Sequence, residues 1–152
     1  MKVRVGAIVT KDDAVLLAKH RRRGLSYWVI PGGQVKEPET VPDALVREIY
    51  EESGMVVEPG SLLYVFETID PRYGGIHTVE LLFRADVATD VVAEQRRVQF
   101  GEHLDRCVFV PVSELRNLEL YPEIAELLEQ IAVGQALSHC SYLGNLWSET
   151  KE

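Results

Sequence analysis

Three glutamates within five residues are the clearest candidates for chemistry in this sequence. Glu48, Glu51 and Glu52 lie at positions i, i+3 and i+4, so on an α-helix they fall within a wedge of about 100°. Like charges at these spacings cost roughly a few tenths of a kcal/mol each in water, so an exposed helix tolerates them. Converging carboxylates would instead form a hard-oxygen site suited to Mg²⁺ or Mn²⁺. The pattern indicates either a solvated helix face or a site for a divalent cation.

Two neighbouring features favour the cation site. Gly32 and Gly33 come shortly before the glutamates, and glycine lets backbone groups approach a ligand without obstruction by a Cβ atom. Arg47 lies beside Glu48, where its guanidinium can hold one carboxylate while the others face outward. A cation held there would keep coordination positions for water and for phosphate oxygens of a substrate. The sequence therefore indicates phosphate chemistry at this helix.

The segment that carries the glutamates has the signals of a helix over residues of about 41 to 53. Thr40 is a suitable N-cap with Asp43 three residues later, and Pro42 suits the first turn. Gly54 suits the C-terminal stop. The opposite side of this helix is apolar: Leu45, Val46, Ile49 and Tyr50.

The remaining segments predict a mixed α/β domain around this helix. Alternation and turn residues predict strands in VRVGAIV, AVLLAKH, YWVIP, SLLYVFETID, HTVELLFRADVA and RCVFVPV. We expect a basic loop at RRRGLS, a polar loop at DVVAEQRRVQFGEHLD and an amphipathic helix at PEIAELLEQIAVG. The order of these elements favours a mixed sheet between helical layers.

Composition limits the classes of function. A chain of 152 residues with 46% apolar and 26% charged residues is typical of one soluble domain. The net charge of −8 argues against a general nucleic-acid or anionic-membrane binder. No apolar run is long enough to span a membrane, and no signal-peptide pattern is visible. Cys107 and Cys140 form no C-x-x-C pair, so we expect idle thiols in a reducing cytoplasm.

The stretch from Gly33 to Met55 resembles the Nudix box, G-x5-E-x7-R-E-U-x-E-E-x-G-U, in which U is apolar. Every specified position matches without a gap: Gly33, Glu39, Arg47, Glu48, Ile49, Glu51, Glu52, Gly54 and Met55. Background residue frequencies make a chance match in one chain an event on the order of 10⁻⁷. The resemblance implies a Nudix-type α/β/α sandwich with a mixed β-sheet over residues 1–133, with a tail of unknown role at 134–152.

The resemblance also implies a reaction and assigns roles to the box residues. The reaction is Mg²⁺-dependent hydrolysis, with Mn²⁺ as an alternative cation, of a diphosphate linkage in a small nucleoside diphosphate derivative. The metal-ligand positions are Glu48, Glu51, Glu52 and the carbonyl of Gly33. Arg47 would orient a box glutamate, and Glu39 and Gly54 would have structural roles.

A general base must take the proton of the attacking water. In this family the base is a box glutamate or a glutamate on a loop outside the box. Inside the box we favour Glu52 or Glu48. Outside it, the polar loop offers Glu94 and Glu102, of which we prefer Glu102 because it lies just before a predicted strand and beside a glycine.

A basic segment and two aromatic residues are candidates for substrate contact. Arg21 and Arg23 belong to the run KHRRRG, which can meet an incoming polyphosphate or remain solvated. Tyr27 and Trp28 follow, and strand alternation predicts that one ring faces outward, where it could stack on a base. Packing of both rings in the core is the alternative.

The segment PRYGG gives a contradictory indication of substrate. In the family, a proline at about the distance of Pro71 resembles ADP-ribose hydrolases, whereas a tyrosine at about that of Tyr73 resembles diadenosine-polyphosphate hydrolases. Both are present, and the segment is also a good turn. We therefore expect a small nucleotide substrate of the ADP-ribose, diadenosine polyphosphate, nucleotide sugar or nucleoside triphosphate type.

Two alternative functions remain open. The domain could sense a nucleotide without cleaving it, although such domains commonly lose box glutamates. It could also act on RNA 5′ ends, which the acidic balance disfavours. Many relatives dimerise, so a homodimer is a further expectation.

Overall fold

The computed structural model describes residues 1–89, 104–134 and 139–149. In these ranges the strands are β1 (Lys2–Ile8), β2 (Thr10–Lys11), β3 (Ala14–Arg22), β4 (Leu25–Val29), β5 (Gly32–Gln34), β6 (Val56–Asp70), β7 (Ile76–Thr89), β8 (Leu104–Pro111) and β9 (Ser141–Asn145). The α-helices are α1 (Val41–Ser53) and α2 (Ala125–Ala132), and 3-10 helices cover Arg72–Gly74 and Val112–Asn117.

The strands form two sheets. The larger has the order β5-β1-β7-β6-β9, in which β1 pairs parallel with β7 and β6 pairs parallel with β9, while the other neighbours are antiparallel. In the smaller sheet β3 pairs antiparallel with β2, β4 and β8. The predicted mixed sheet is therefore present.

The helix predicted from the glutamate segment is confirmed at both ends. The Thr40 hydroxyl accepts a hydrogen bond from the Asp43 N–H at 3.3 Å, and Pro42 lies in the first turn. Gly54 adopts the left-handed conformation with φ of 74° and donates its N–H to the Tyr50 carbonyl at 2.9 Å. A residue with a Cβ atom adopts that conformation at a cost, so glycine ends the helix here.

Strand alternation divides the core between the two helices. On β1, Val5 and Ala7 pack with Leu45 and Ile49 of α1. Ile8, on the other face of the same strand, packs with the residues of α2 and its neighbours. The sheets therefore lie between two helical layers, because successive side chains of a strand point to opposite faces.

The prediction of a loop at RRRGLS was wrong. β3 continues to Arg22, and the register pairs Arg21 with Ser26 and Arg22 with Leu25 on β4. Only Arg23 and Gly24 form the turn, with φ values of 51° and 80°. Two consecutive positive φ values suit the tight turns that join twisted antiparallel strands, so a hairpin replaces the loop.

The segment after α2 joins the larger sheet. β9 lies along β6, and the Leu146 N–H donates to the Glu67 carbonyl at 2.9 Å. Leu143 and Leu146 pack against the α2 side of the core. The predicted polar loop falls mostly outside the described residues. Among the residues that are described, no helix is long and apolar enough to cross a membrane.

Candidate functional site

The glycine pair and the glutamate helix meet through Gly33 and Glu48. β5 pairs with β1, with Gly33 opposite Val5, and it contacts α1. A Cβ atom at Gly33 would lie 2.2–2.5 Å from the three atoms of the Glu48 carboxylate. That carboxylate occupies the space a side chain would need, so the two predicted metal-ligand residues are in direct contact.

Arg47 ties α1 to the loop that precedes it. Its Nε and Nη2 atoms donate to the two carboxylate oxygens of Glu39 at 2.9 and 2.6 Å. Nη2 also donates to the Gln34 carbonyl at 3.1 Å, and the Lys36 N–H donates to Glu39 at 2.7 Å. A two-pronged arginine–carboxylate pair fixes both groups in one plane, so Glu39 braces the loop against the helix.

The same guanidinium contacts two of the three helix glutamates. Its Nη1 atom donates to Glu48 at 2.7 Å and to Glu51 at 3.3 Å. The hydrogen bonds from Arg47, together with that from the Lys36 N–H, lower the pKa of Glu39 to about 2. Hydrogen bonds to Glu39 and then Glu48 raise the pKa of Arg47. Arg47 and Glu39 therefore stay charged throughout the neutral range.

Glu52 has a different environment from its two neighbours. Its Oε2 atom accepts a hydrogen bond from the Gly32 N–H at 3.1 Å. Burial raises the pKa of Glu52 to about 7, and the charges of Glu48 and Glu51 add to this effect. The Gly32 hydrogen bond and the charge of Arg4 act in the opposite direction. Glu52 is therefore set to exchange a proton near neutral pH.

Arg4 and Glu80 also contribute to the environment of Glu52, although sequence reasoning missed them. The Arg4 guanidinium donates to Glu80 Oε2 at 3.0 Å and to the Gly32 carbonyl at 3.3 Å. Glu80 is 6% exposed, and a buried carboxylate is costly unless it is paired. The two residues lie opposite each other on β1 and β7. Only the strand order reveals the pair, since 76 positions separate the residues in sequence.

Cys107 on β8 forms part of the wall near Glu52. Burial raises the pKa of the Cys107 thiol, and the charge of Glu52 raises it further. The thiol therefore stays protonated. Cys107 and Cys140 are both free cysteines.

The donor types at the site fit a hard cation, but the donors do not converge on one point. Within residues 1–89, 104–134 and 139–149, no three acidic, histidine or cysteine side chains form a ready cluster for a metal ion. Arg47 holds Glu48 and Glu51, whereas the Gly32 N–H holds Glu52. Carboxylate and carbonyl oxygens are the ligands that Mg²⁺ prefers. Joint coordination of one cation therefore requires the side chains of Glu48, Glu51 and Glu52 to come closer together than they lie here.

The predicted basic contacts lie on the β3–β4 hairpin. Arg21 is exposed and lies 4.0 Å from Asp105 of β8. Arg23 is exposed in the turn. The role of both arginines in substrate binding stays a prediction. The same holds for Tyr73, whose backbone belongs to the Arg72–Gly74 helix and whose side chain lies outside the described residues.

The two aromatic candidates are both half-buried. Trp28 packs against the α2 side of the core, with Lys19 and Arg106 at 5.8 and 5.5 Å from its ring centroid. The Tyr27 ring contacts Tyr121 edge-on, with centroids 6.5 Å apart. Neither ring is fully buried or fully exposed to solvent. The proposed loop bases Glu94 and Glu102 lie outside the described residues.

Comparison with known proteins identifies the relatives of this chain. A family model for the NUDIX domain matches residues 1–131. The uncharacterized Nudix hydrolase YvcI of Bacillus subtilis is 30% identical over 135 residues, which span 89% of this chain and 82% of that protein. An ADP-ribose pyrophosphatase of Methanocaldococcus jannaschii is 38% identical over 86 residues, which span 56% of this chain and 50% of that protein.

Solved structures show the same fold. A NUDIX hydrolase from Nitrosomonas europaea superposes with a TM-score of 0.73 at 20% identity, covering 88% of this chain and 90% of its own. An ADP-ribose pyrophosphatase from Streptococcus suis superposes with a TM-score of 0.68 at 20% identity, covering 95% and 98%. At this level of identity the superpositions establish the architecture.

Proposed function

The chain belongs to the Nudix hydrolase family, and on this premise we propose that it hydrolyses a diphosphate linkage in a small nucleoside diphosphate derivative with the aid of Mg²⁺. One observation carries the proposal. Two of the box glutamates meet the Gly32–Gly33 edge, with Glu48 in contact with Gly33 and Glu52 bonded to Gly32. Such an arrangement suits phosphate chemistry better than a solvated helix face.

Glu48, Glu51, Glu52 and the Gly33 carbonyl would hold the cation, with Mn²⁺ as an alternative to Mg²⁺. When bound, the cation neutralises diphosphate oxygens and lowers the pKa of a coordinated water. When no cation is bound, Arg47 would hold Glu48 and Glu51 through the hydrogen bonds of its Nη1 atom.

Glu52 is our first choice of general base. A base works best when its pKa lies near the working pH, and in the metal-free protein burial raises the pKa of Glu52 to about 7. The Gly32 N–H donates to Oε2 of this carboxylate, so Oε1 is the oxygen that would take the proton of the attacking water. Glu48 and Glu102 are the alternatives.

The substrate class rests on the relatives. The name of the Methanocaldococcus jannaschii relative makes ADP-ribose the first substrate to test. Arg21, Arg23, Tyr27, Trp28 and Tyr73 are the proposed contacts for the rest of the substrate. Location in the cytoplasm and a homodimeric state also belong to the proposal, and sedimentation of the purified protein tests the second.

The deciding experiment is a substrate panel with and without Mg²⁺. It contains ADP-ribose, diadenosine polyphosphates, nucleotide sugars, nucleoside triphosphates and 5′-triphosphate RNA. We expect Mg²⁺-dependent release of two phosphorylated products from a small member of the panel. Tight binding of one member without turnover would instead indicate a sensor, and turnover of RNA alone would contradict the small-substrate proposal.

A further inference from the structure

A continuous line of contacts connects the buried Glu80 with Glu52. Glu80 Oε2 accepts from Arg4 at 3.0 Å, and Arg4 donates to the Gly32 carbonyl at 3.3 Å. The Gly32 N–H then donates to Glu52 Oε2 at 3.1 Å. Gly32 therefore receives a hydrogen bond from one side of β5 and donates one to a box glutamate on α1.

Close packing leaves the Gly32 backbone little freedom to move. A Cβ atom at Gly32 would lie 2.0 Å from the Val5 carbonyl oxygen and 2.8 Å from the Gly6 Cα atom. The Gly32 backbone thus lies directly on β1, the strand that also carries Arg4. The Arg4 hydrogen bond to the Gly32 carbonyl therefore adds to the packing that fixes the direction of the Gly32 N–H at Glu52.

The chemistry of Arg4 suits a connecting role. A planar guanidinium can bond two acceptors at fixed angles, whereas a lysine ammonium acts as a point charge without that geometry. Glu80 is nearly fully buried and holds one arm of the fork. The other arm is thereby fixed on the Gly32 carbonyl.

We propose that Arg4 and Glu80 are positioning residues for Glu52, acting through the backbone of Gly32. The inference rests on the proposed function for its kinetic readout, but its metal-binding readout is independent of substrate. Groups that orient metal ligands typically change metal affinity or activity by about 10–100-fold when they are removed.

The test measures Mn²⁺ affinity by electron paramagnetic resonance, together with kcat and KM. In Arg4→Met we expect Mn²⁺ affinity and kcat to fall by about 10-fold or more, with KM within about threefold. Glu80→Gln should give a smaller loss of the same kind, since a neutral amide still accepts a hydrogen bond from Arg4. Arg4→Lys should restore Mn²⁺ affinity only in part, because it lacks the fork.

Arg116→Met is the matched control. Arg116 also forms a two-pronged pair, with Glu129 at 2.8 Å for both bonds, but the pair lies on the surface at α2. This variant should keep the Mn²⁺ affinity, kcat and KM of the unaltered protein.

A double variant separates positioning from folding. Arg4→Met alone leaves the buried Glu80 without its partner, which can unfold the protein. Arg4→Met/Glu80→Met removes both charges, and its thermal unfolding shows whether the fold survives. If it folds and still binds Mn²⁺ about 10-fold more weakly, the proposal holds.

Mn²⁺ affinity equal to that of the unaltered protein in the folded double variant would overturn the proposal. So would a rise in KM alone in Arg4→Met, because Arg4 would then contact substrate directly. If the panel yields no turnover but Mn²⁺ affinity falls as expected, the positioning role stands and only the proposed function fails.

Discussion

The two edges of the larger sheet are closed by short strands that are held in different ways. β5 pairs antiparallel with β1, and guanidinium groups bond its Gly32 and Gln34 carbonyls. β9 pairs parallel with β6, and uncharged side chains of β9 secure it: the Asn145 Oδ1 atom accepts from the Ile69 N–H at 3.1 Å. The Tyr142 hydroxyl donates to Glu67 in addition.

This difference indicates that the β5 edge belongs to the candidate active site, whereas the β9 edge mainly supports the fold. At β5 the glycines leave no room for a side chain and bring backbone groups to within hydrogen-bonding distance of carboxylates. At β9, Leu143 packs on the core and the Gly144 surroundings are open. Substitutions at the first edge should change catalysis, and those at the second should change stability.

The largest expected effect comes from Glu52→Gln. Removal of a general base lowers rates by about 10²–10⁴-fold, so kcat should fall by that factor while the fold persists. Glu67→Gln is the control at the β9 edge, where Glu67 contacts His77 at 2.6 Å. Steady-state kinetics on the active substrate checks both, and an unchanged kcat in Glu52→Gln would show that the site assignment is wrong.

A glycine-to-alanine change on each edge sharpens the comparison. In Gly33→Ala the new methyl group would collide with the Glu48 carboxylate, and a displacement of about 1 Å can lower the rate about 10²-fold. Gly144→Ala meets no atom within 4 Å, but its φ of 81° makes alanine cost about 1 kcal/mol. Kinetics and urea unfolding should give opposite rankings for the two variants. Equal kcat values would refute the distinction.

The carboxylates of Glu52 and Glu39 should respond oppositely to pH. Burial raises the pKa of Glu52 from 4.5 to about 7, so its contribution to stability is complete below about pH 4.5 and is lost as pH rises through about 7. Without divalent cations this loss amounts to about 3 kcal/mol. Arg47 lowers the pKa of Glu39 to about 2, so its contribution is present above about pH 4.5 and lost as pH falls through about 2.

The measurement is the free energy of unfolding in chelator at pH 5 and pH 8. Between these values the unaltered protein should lose about 2.5 kcal/mol more than Glu52→Gln does, because part of the loss occurs below pH 5. Glu39→Gln should retain the slope of the unaltered protein in this window, because Glu39 titrates below it. Identical slopes in all three proteins would contradict the assignment of the raised pKa.

The smallest effect is expected for Trp147→Ala. The Arg72 guanidinium lies 5.6 Å from the centroid of this half-buried indole, a contact worth about 1 kcal/mol. The melting temperature should fall slightly while kcat stays constant. A fall in kcat without loss of stability would place the β9 edge in the active site.

The sequence revealed one of these edges and left the other undetermined, for a physical reason. The β5 edge and α1 lie within one short motif, so the contact of Arg47 with a box glutamate and the bracing of the loop by Glu39 could be predicted. The ends of α1 followed from local caps at Thr40 and Gly54.

Contacts between distant segments could not be predicted in this way. The Arg4–Glu80 pair and the Ile69–Asn145 hydrogen bond each join residues 76 positions apart. Strand alternation predicts which residues share a face, but not which strands become neighbours. The prediction of a basic loop was wrong because Arg23 adopts a positive φ, which is uncommon for a residue with a side chain and could not be read from the sequence.

The split of β1 between two faces has a consequence for the quality of any preparation. Val5 lies on the α1 side of the core, while Arg4, one position earlier, bonds Glu80 and Gly32. A shift of one residue in the pairing of β1 with β7 would exchange the two faces of β1. The Arg4 guanidinium would then enter the apolar core, and Val5 would lie opposite Glu80. A chain trapped in that arrangement would be both unstable and catalytically inactive. Specific activity would then report the fraction of molecules whose first strand has found its proper alignment.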